Sequence, residues 1–338
     1  MPVSYEVLEL FMNKKMIIRL SVLLACIVVC MAIILNFDAI FVENGEGGGS
    51  ASDEEMARRT VYIDGEKYLR RTDVETFLIM GLDRFGDTED DGRAQADFLL
   101  LAVFDKRSES YRLLQINRDT MTMVDRYNNS GKYVDSQEMQ IALSYAYGEL
   151  ENMSSIKKCD NTAHAVESLM RGVKVDHYLS ITMDGMEKLI DQIGGVELTV
   201  RDDLSSIDER LIRGEMVYMD GALALKYVRA RRGLEDASNI ARMERQKDLM
   251  EALVAGLSSK GEKDTDFVGI LSKVEEHTTT KCDDVCLGML EDFFDTYDYL
   301  GISALPGEAV KGEVYMQFFV DDDGLEEILK NVFLEKAE

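Results

Sequence analysis

The chain has 338 residues, of which 46% are hydrophobic and 30% are charged. This is long enough for one large or two modest domains with a substantial core, so disorder of the whole chain is excluded. Its 38 Lys and Arg residues against 64 Asp and Glu residues give a formal net charge of −26, so we expect no nucleic-acid partner. Five Cys and three His residues, without a Cys-x-x-Cys pair, argue against a disulfide-built fold and a structural zinc site.

An apolar segment near the N-terminus predicts a membrane anchor at residues 16–42. It contains the run Leu20–Leu35, in which Ser21 is the only clearly polar side chain. Together with residues 16–19 this run reaches about 30 Å as a helix, one hydrocarbon thickness. Basic residues precede the run and acidic residues follow it, so residues 1–15 are expected in the cytoplasm and the rest outside, in a single-pass cell-membrane protein. A cleaved signal peptide is the alternative, although its apolar part is usually shorter.

Residues 43–72 are predicted to be a linker, because Gly and Ser are concentrated near its start and charged residues follow. A short hairpin could form within it at residues 61–69. The extracytoplasmic domain is then predicted at residues 73–338. Of its cysteines, Cys282 and Cys286 are four residues apart, a spacing that suits a disulfide within a helix poorly, so free thiols are favoured, as for Cys159.

Short apolar runs and helical patterns alternate along this domain. Strands are predicted at residues 76–80, 98–104, 111–116, 177–183, 196–201 and 315–320, and helices at residues 138–151, 162–170, 184–193, 221–230, 239–257 and 323–333. Asp184 and Ser238 are the expected N-caps of two of these helices. The order predicts an α/β fold, an α-β-α sandwich with a central mixed sheet.

Three charged residues stand at the ends of the first three strands: Asp83, Asp97 and Arg118. If the second strand is antiparallel to both neighbours, all three reach the same sheet edge. The intervening residues 84–96 are rich in charge, which is typical of a binding loop. A carboxylate pair suits Mg²⁺ (or Mn²⁺) bound together with phosphate oxygens, although aspartates at strand ends are also common as simple caps.

A second cluster is the basic window Lys226–Lys247, in which seven basic residues stand against three acidic ones. Arginine suits bidentate phosphate binding. Arg242 and Arg245 share a helix face, whereas Arg229 and Arg231 would point in different directions, so only one of the latter pair is expected to serve a site. Such helix surfaces are often only solvated or paired with nearby acids.

Several sequence blocks in this order resemble the LytR-CpsA-Psr family. They are Phe77–Asp83, Gln95–Asp97, Gln115–Thr120, Val175–Gly185, Ile193–Val200, and Tyr227–Arg231 followed by Ser238–Gln246. The blocks cover residues 75–255, with weaker similarity at Leu305–Glu308 and in the last strand and helix. The resemblance implies an extracytoplasmic α/β/α domain that moves a glycopolymer from a polyprenyl diphosphate carrier onto peptidoglycan, with one N-terminal membrane helix.

The resemblance also implies roles for individual residues. Asp83 and Asp97 match the metal-binding acids, and Arg118, Arg231 and Arg242 match the arginines that act on the diphosphate. Further candidates are Asp119 as a base or orienting residue and Arg84, Arg229 and Arg245 as phosphate ligands. The chain departs from the family pattern at four positions: Phe85 (where arginine is frequent, with Arg84 one residue earlier), Phe98, Asn117 (where proline is common) and Gln140 (where lysine is frequent). Whether Arg84 replaces the family's arginine stays open.

The expected reaction is phosphoryl transfer, in which a peptidoglycan sugar hydroxyl attacks the diphosphate in line. The lipid tail requires an apolar groove, for which residues 141–150 and 223–228 are the candidate linings. Two alternatives stay open: a lipid-diphosphate hydrolase with water as the acceptor, and a non-catalytic envelope protein that binds anionic lipid. The sequence does not distinguish wall teichoic acid from capsule or another anionic polymer as the cargo.

Overall fold

The structure is a computed structural model, and it describes residues 59–83, 94–128, 130–147, 153–230, 239–258 and 267–337. The predicted membrane anchor at residues 16–42 and the residues before it lie outside these ranges. Among the residues that are described, no helix is both long and apolar enough to cross a membrane.

The secondary structure alternates between strands and helices. The strands are β1 Thr60–Ile63, β2 Glu66–Arg70, β3 Val74–Leu82, β4 Ala96–Asp105, β5 Ser110–Ile116, β6 Met121–Tyr127, β7 Tyr133–Gln140, β8 His177–Thr182, β9 Val196–Thr199, β10 Met216–Met219, β11 Thr278–Thr280, β12 Asp298–Ala304, β13 Gly307–Lys311, β14 Met316–Val320 and β15 Leu334–Lys336. The helices are α1 Leu143–Tyr147, α2 Ser155–Leu169, α3 Met183–Gln192, α4 Gly221–Arg229, α5 Asn239–Ser258, α6 Phe267–Ser272, α7 Asp284–Thr296 and α8 Asp322–Ile328, with a π-helix at Leu329–Phe333.

A six-stranded mixed sheet, in the order β11-β8-β3-β4-β5-β12, forms the centre of the domain. Strand β4 is antiparallel to both β3 and β5, whereas β3–β8 and β5–β12 are parallel. The condition under which the three charged residues were expected to share an edge, a second strand antiparallel to both neighbours, is therefore met. Its consequence is that the ends of β3 and β5 and the beginning of β4 meet at one edge of the sheet.

Helices cover both faces of this sheet. On one face, Leu99 and Leu101 of β4 belong to a buried cluster that includes Val166 of α2. On the other face, Leu100 of β4 belongs to a cluster that includes Leu290 of α7. Because both faces are covered, nine of the ten residues of β4 are buried, which explains why this strand reads as a continuous apolar run. A third cluster joins α3, α4 and α5 to the hairpin β9–β10.

The predicted helix at residues 138–151 is wrong in its first part. Residues up to Gln140 belong to β7, which pairs with β6 so that Met121 lies opposite Gln140, and helix α1 begins only at Leu143. Strand β6 was not predicted from the sequence, and pairing with a partner strand overrides a local helical pattern. The predicted cap of α3 is also wrong, since Thr182 rather than Asp184 is the N-cap and its Oγ1 accepts from Gly185 N at 3.2 Å.

The hairpin expected within the linker is present as β1 and β2. Strand β2 also pairs with β15 near the C-terminus. This part of the predicted linker is therefore integrated into the folded domain. Helix α7 and the strands β11, β12 and β13 were also not predicted from the sequence. Of these, β11 and β12 are the two edge strands of the central sheet.

The preference for free thiols is wrong for Cys282 and Cys286, which form a disulfide with their Cα atoms 5.2 Å apart. The physical reason is that Cys282 precedes α7, so the two residues do not have the spacing of positions within a helix. Cys159 is a free, buried cysteine, as expected.

Candidate active site

Asp97 is the central residue of the candidate site. It is the second residue of β4 and is only 8% exposed. Arg118, which follows β5, donates from Nη1 to Asp97 Oδ1, and Arg242 in the first turn of α5 lies with Nη1 3.5 Å from Asp97 Oδ2. Three predicted site residues from separate parts of the chain therefore meet at this edge of the sheet.

Asp83 and Arg229 form a second pair at the same edge. Asp83 follows β3 directly and Arg229 is the last residue of α4, and Arg229 Nη2 lies 3.3 Å from Asp83 Oδ1. The side chains are 42% and 43% exposed, so this pair is far more open to solvent than Asp97. The structure places Arg229 at the site, whereas the predicted candidates Arg84 and Arg231 lie outside the described residues.

Gly81 explains how the strands bring the two aspartates together. A Cβ atom at Gly81 would lie 2.9 Å from Phe98 Cβ, which is closer than side-chain atoms normally approach. The register between β3 and β4 shifts at this point, between Gly81 and Leu82. The missing side chain thus permits the close approach of the strands immediately before Asp83 and beside Asp97.

The turn that carries Arg118 is fixed by Asn117. Its Oδ1 accepts from Asp119 N at 2.9 Å and from Asn239 Nδ2 at 2.6 Å. Because Asn239 begins α5, these bonds tie the end of β5 to the helix that carries Arg242. Asn117 stands where the resembling family commonly has proline, so here an amide side chain restrains the turn through hydrogen bonds.

Two glutamines that the sequence analysis did not assign to the site complete the network. Gln95 Oε1 accepts from Arg118 Nη2, and Gln140 Nε2 donates to Asp119 Oδ1 at 2.8 Å. Asp119 Oδ1 also lies 3.5 Å from Arg118 Nε. The sequence offered one indication for each: Gln95 begins a block that resembles the family, and Gln140 departs from the family pattern. Their contacts could not be predicted, because they require β4 and β7 to lie beside the turn that carries Arg118.

Arg245 is not part of this site, and its prediction as a phosphate ligand is wrong. Its side chain is 1% exposed and forms hydrogen bonds to Tyr227 O at 3.1 Å, Ala230 O at 2.7 Å and Asp202 Oδ2 at 2.6 Å. Positions three apart on a helix still differ by about 60° in direction. That difference turns Arg242 towards β4 and Arg245 towards the C-terminal end of α4.

A cavity of about 600 Å³ opens at this edge. Its charged lining residues are Asp83, Asp97, Lys226, Arg229 and Arg242. Apolar side chains form most of the remainder, among them Ile181, Met183, Met186, Leu225, Val228, Leu249 and Met250. A narrower apolar cavity of about 130 Å³ shares Ile181, Met186 and Met250 with it and continues between the sheet and the helices. The lining of the larger cavity therefore has a charged part, which we call the mouth, and an apolar part, which we call the interior, from which the smaller cavity continues.

The two predicted linings of an apolar groove differ in outcome. Leu225 and Val228, from the predicted segment 223–228, do line the cavity. In the other segment, 141–150, the described residue Ile141 packs with the sheet face that α2 covers, and the described part of this segment does not line the cavity.

The charges beside the cavity are held by local pairs. Lys226 Nζ lies 3.0 Å from Asp208 Oδ2, and hydrogen bonds from Arg210 and Lys226 lower the pKa of the Asp208 carboxyl. On α4, burial and then the neighbouring Asp248 carboxylate raise the pKa of the Tyr227 hydroxyl, so this buried residue stays neutral. The cavity lining itself contains two carboxylates and three cationic groups, which favours an anionic ligand.

Comparison with known proteins agrees with this architecture. The LytR_cpsA_psr family model matches residues 40–333. TagU of Halalkalibacterium halodurans is 29% identical over 179 residues, which are 53% of this chain and 52% of that protein. TagV of Bacillus subtilis is 27% identical over 191 residues, 54% of this chain and 44% of that protein.

Both relatives are named polyisoprenyl-teichoic acid–peptidoglycan teichoic acid transferases, and the match spans about half the length of each. The crystal structure of Bacillus subtilis TagV shares the fold, with a TM-score of 0.58 at 22% identity, covering 78% of this chain and 96% of that one. On the extent of the family match and the shared fold, this chain belongs to the LytR-CpsA-Psr family.

Proposed function

We propose that this protein transfers a glycopolymer from a polyprenyl diphosphate carrier to peptidoglycan during cell-wall assembly. The observation that carries the proposal is the position of Asp97, held by Arg118 and Arg242 at the charged mouth of a cavity with an apolar interior. A polyprenyl diphosphate has the matching two parts, an anionic head and a long apolar tail. The names of the relatives support teichoic acid as the class of polymer.

The arginines bind the diphosphate head. Guanidinium groups offer paired N–H donors that match phosphate oxygens and retain their charge at every physiological pH. Arg242 and Arg229 already line the cavity mouth, and Arg118 lies behind them against Asp97. A substrate phosphate that enters the mouth competes with the two aspartates for these donors.

The apolar interior holds the beginning of the lipid chain. Met186 and Met250 are shared by the wide and the narrow cavity, and flexible methionine side chains adapt to ligands of irregular shape. Burial of the tail contributes affinity in proportion to the apolar area removed from water, about 25 cal/mol per Å². This binding energy fixes the diphosphate at the mouth for reaction.

The reaction is a phosphoryl transfer with a peptidoglycan sugar hydroxyl as the acceptor. The hydroxyl oxygen forms a bond to the phosphorus that carries the glycan, and the bond from that phosphorus to the bridging oxygen breaks. Polyprenyl phosphate leaves with the electron pair. Arg118, Arg229 and Arg242 stabilise the charge on the transferred group and the leaving phosphate, and Asp119, positioned by Gln140, receives or orients the proton of the hydroxyl.

The residues at the mouth fit a divalent cation, because Asp83 and Asp97 supply the carboxylate oxygens that Mg²⁺ (or Mn²⁺) prefers when phosphate completes its coordination. When bound there, the ion would neutralise charge on the diphosphate. Both aspartates are also paired with arginines, so binding of the substrate and binding of the ion are expected to be coupled.

The location proposed for this chemistry is the outer face of the cell membrane. Residues 16–42 would span the bilayer, residues 1–15 would lie in the cytoplasm, and the described domain would lie outside. An anchored domain meets a lipid-linked substrate in the same membrane. Intact-mass measurement of the membrane-bound protein tests the anchor, since loss of the N-terminal apolar segment would show that it is a cleaved signal.

The proposed activity is tested with the full chain, a polyprenyl diphosphate-linked glycan, Mg²⁺ and peptidoglycan oligomers. We expect mass spectrometry to detect the glycan joined to peptidoglycan through a phosphodiester. Release of free glycan phosphate without coupling would identify a hydrolase instead. Binding of the lipid with no turnover would support the non-catalytic alternative and contradict the proposal.

A further inference from the structure

A second group of reactive side chains lies at the opposite end of β8 from the candidate active site. It consists of His177, the first residue of β8, and the disulfide-bonded Cys282 and Cys286 at the beginning of α7. Cys286 Sγ is 3.3 Å from His177 Nδ1, and one side-chain atom from each of the three residues lies within 4.8 Å of the others. A disulfide is thus in direct contact with an imidazole.

Glu75 fixes the orientation of that imidazole. His177 Nε2 lies 2.7 Å from Glu75 Oε1, and Lys106 Nζ lies 2.7 Å from Glu75 Oε2. Partial burial opposes ionisation of Glu75, but its hydrogen bonds with Lys106 and His177 outweigh this and lower its pKa. Because a carboxylate accepts the Nε2 proton, the other ring nitrogen, Nδ1, is directed at the sulfur.

The backbone around the cysteines is held in place independently of the S–S bond. Cys282 N donates to Thr280 Oγ1 at 3.0 Å, and Cys286 N donates to Asp283 Oδ1 at 2.9 Å, which caps α7. These bonds keep the two cysteines close when the S–S bond opens. Cys286 also lies in the first helical turn, where the helix dipole favours a thiolate.

The disulfide can be reached from solvent. Both cysteines are only partly buried, and together with His177 they line a cavity of about 670 Å³. Cys159 provides a contrast within the same domain, because it is fully buried and burial raises the pKa of its thiol to about 11. An external thiol therefore has access to the Cys282–Cys286 pair and not to Cys159.

We propose that Cys282–Cys286 is a redox-active disulfide that exchanges with an external thiol, with His177 as the acid–base partner of Cys286 and Glu75 as the residue that positions His177. An external thiolate attacks Cys282 Sγ, the S–S bond breaks, and its electron pair remains on Cys286 Sγ. A second external thiol then attacks the external sulfur of the mixed disulfide and releases Cys282 as a thiolate. Two thiols become one disulfide, and the cysteine pair gains two electrons and two protons.

His177 acts on the proton of Cys286 in both directions. When the pair closes, Nδ1 takes the proton from the Cys286 thiol and so forms the thiolate. When the pair opens, Nδ1 must first take up a proton from solvent, and it passes that proton to the leaving Cys286 sulfur. Proton transfer by a positioned side chain accelerates a reaction by about a hundredfold or more. We expect a smaller acceleration here, about tenfold, because a thiolate is already a good leaving group.

The test measures how fast the pair is reduced in the folded full chain. Dithiothreitol and reduced thioredoxin serve as separate probes, the remaining thiols are alkylated at successive times, and peptide mass spectrometry quantifies Cys282 and Cys286. We expect His177→Gln to slow reduction about tenfold and Glu75→Gln to slow it by a smaller factor. Faster reaction with thioredoxin at equal thiol concentration would identify a protein dithiol as the partner class, and the reverse would identify a small thiol.

His164→Gln is the matched control, since His164 lines the same cavity, is 63% exposed and pairs with Asp125. It shares the access route to the disulfide but pairs with a different group, so its replacement should leave the rate unchanged. In denaturant all variants should be reduced at the same rate, because His177 is then no longer held beside the disulfide. This control shows that the substitutions do not change the intrinsic reactivity of the disulfide. Equal rates for His177→Gln and the wild type in the folded state would overturn the proposal. So would a pair that is reduced only after unfolding.

Discussion

The two ends of β4 carry the same residue types but differ in their surroundings. Asp97 at one end is paired with Arg118 and Arg242, and Asp105 at the other end is paired with Arg71 at 2.6 and 2.9 Å. Both are aspartate–arginine pairs at strand ends of one sheet. Neither could be preferred as a functional site from composition alone.

The difference lies in what surrounds each pair. At the Asp105 end, Arg71 also contacts Asp73 at 2.9 Å and is 9% exposed, while the backbone N–H groups of Arg107 and Ser108 donate to Asp105. The charges of Arg71 and Asp105 are therefore satisfied by hydrogen bonds and ion pairs within the domain. At the Asp97 end the pair adjoins a cavity of about 600 Å³ lined by further cationic side chains. An ion pair is therefore a functional candidate when a ligand can reach it and compete for its partners.

Removal of Arg118 should have the largest effect on activity. We expect Arg118→Ala to lower the rate of glycopolymer transfer by about a thousandfold, because a guanidinium that stabilises phosphoryl transfer contributes on that scale. The measurement is the initial rate of coupled product with the lipid-linked glycan, and circular dichroism checks the fold. Arg71→Ala, at the opposite end of the sheet, should keep the wild-type rate wherever the variant is folded; an equal loss in both would contradict the comparison.

The neighbouring arginines of α5 sharpen the same distinction. Arg242→Ala should reduce transfer about a hundredfold with a small change in stability, since Asp97 keeps Arg118 as a partner. Arg245→Ala should lower the free energy of unfolding by about 3 kcal/mol, because Asp202 and two backbone carbonyls lose a buried donor. Urea denaturation and transfer assays on both variants provide the measurement. A loss of transfer in Arg245→Ala together with a loss of stability in Arg242→Ala would contradict the assignment of Arg242 to the active site.

The Arg71 pair should contribute stability rather than activity. We expect Arg71→Ala to lower the free energy of unfolding by about 2 kcal/mol, less than a fully buried pair would, because Asp73 and Asp105 are about a quarter exposed to solvent. Chemical denaturation measures the loss. An Arg107→Ala variant is the control, since that side chain is 62% exposed and its removal should cost much less; equal losses would mean that burial of Arg71 is unimportant.

The smallest expected effect is a dependence of stability on acid. The hydrogen bond from Arg71 lowers the pKa of the Asp105 carboxyl from 3.8 to about 2. The folded protein thus binds this proton less readily than the unfolded chain, so the contribution is fully present above the unfolded value and is lost as the pH falls towards the folded one. Asp105→Asn should flatten the decline in stability between these two values. An equally steep decline in the variant would contradict this assignment.

Much of the fold was predictable because burial leaves a direct pattern in the sequence. The strands β3, β4 and β5 are nearly continuous apolar runs, and the short turn between β4 and β5 suggests that these two are antiparallel. Because β3 is also antiparallel to β4, Asp83, Asp97 and Arg118 lie at one edge. The helices α4 and α5 were predicted within a few residues of their bounds. By contrast, β7 has mostly partly buried or exposed residues, so its pattern is too weak to separate it from the helix that follows.

The sequence by itself determined the strands β3, β4, β5 and β8, the charged residues at their ends and the resemblance to the family, since hydrophobic patterning and short motifs are local properties of the chain. Only the tertiary structure decided which charges meet. Arg242 and Arg245 are chemically identical and three residues apart, yet one faces Asp97 at a cavity and the other is buried against Asp202. Their roles depend on which elements pack against each side of α5, and those contacts arise between residues that are distant in the chain.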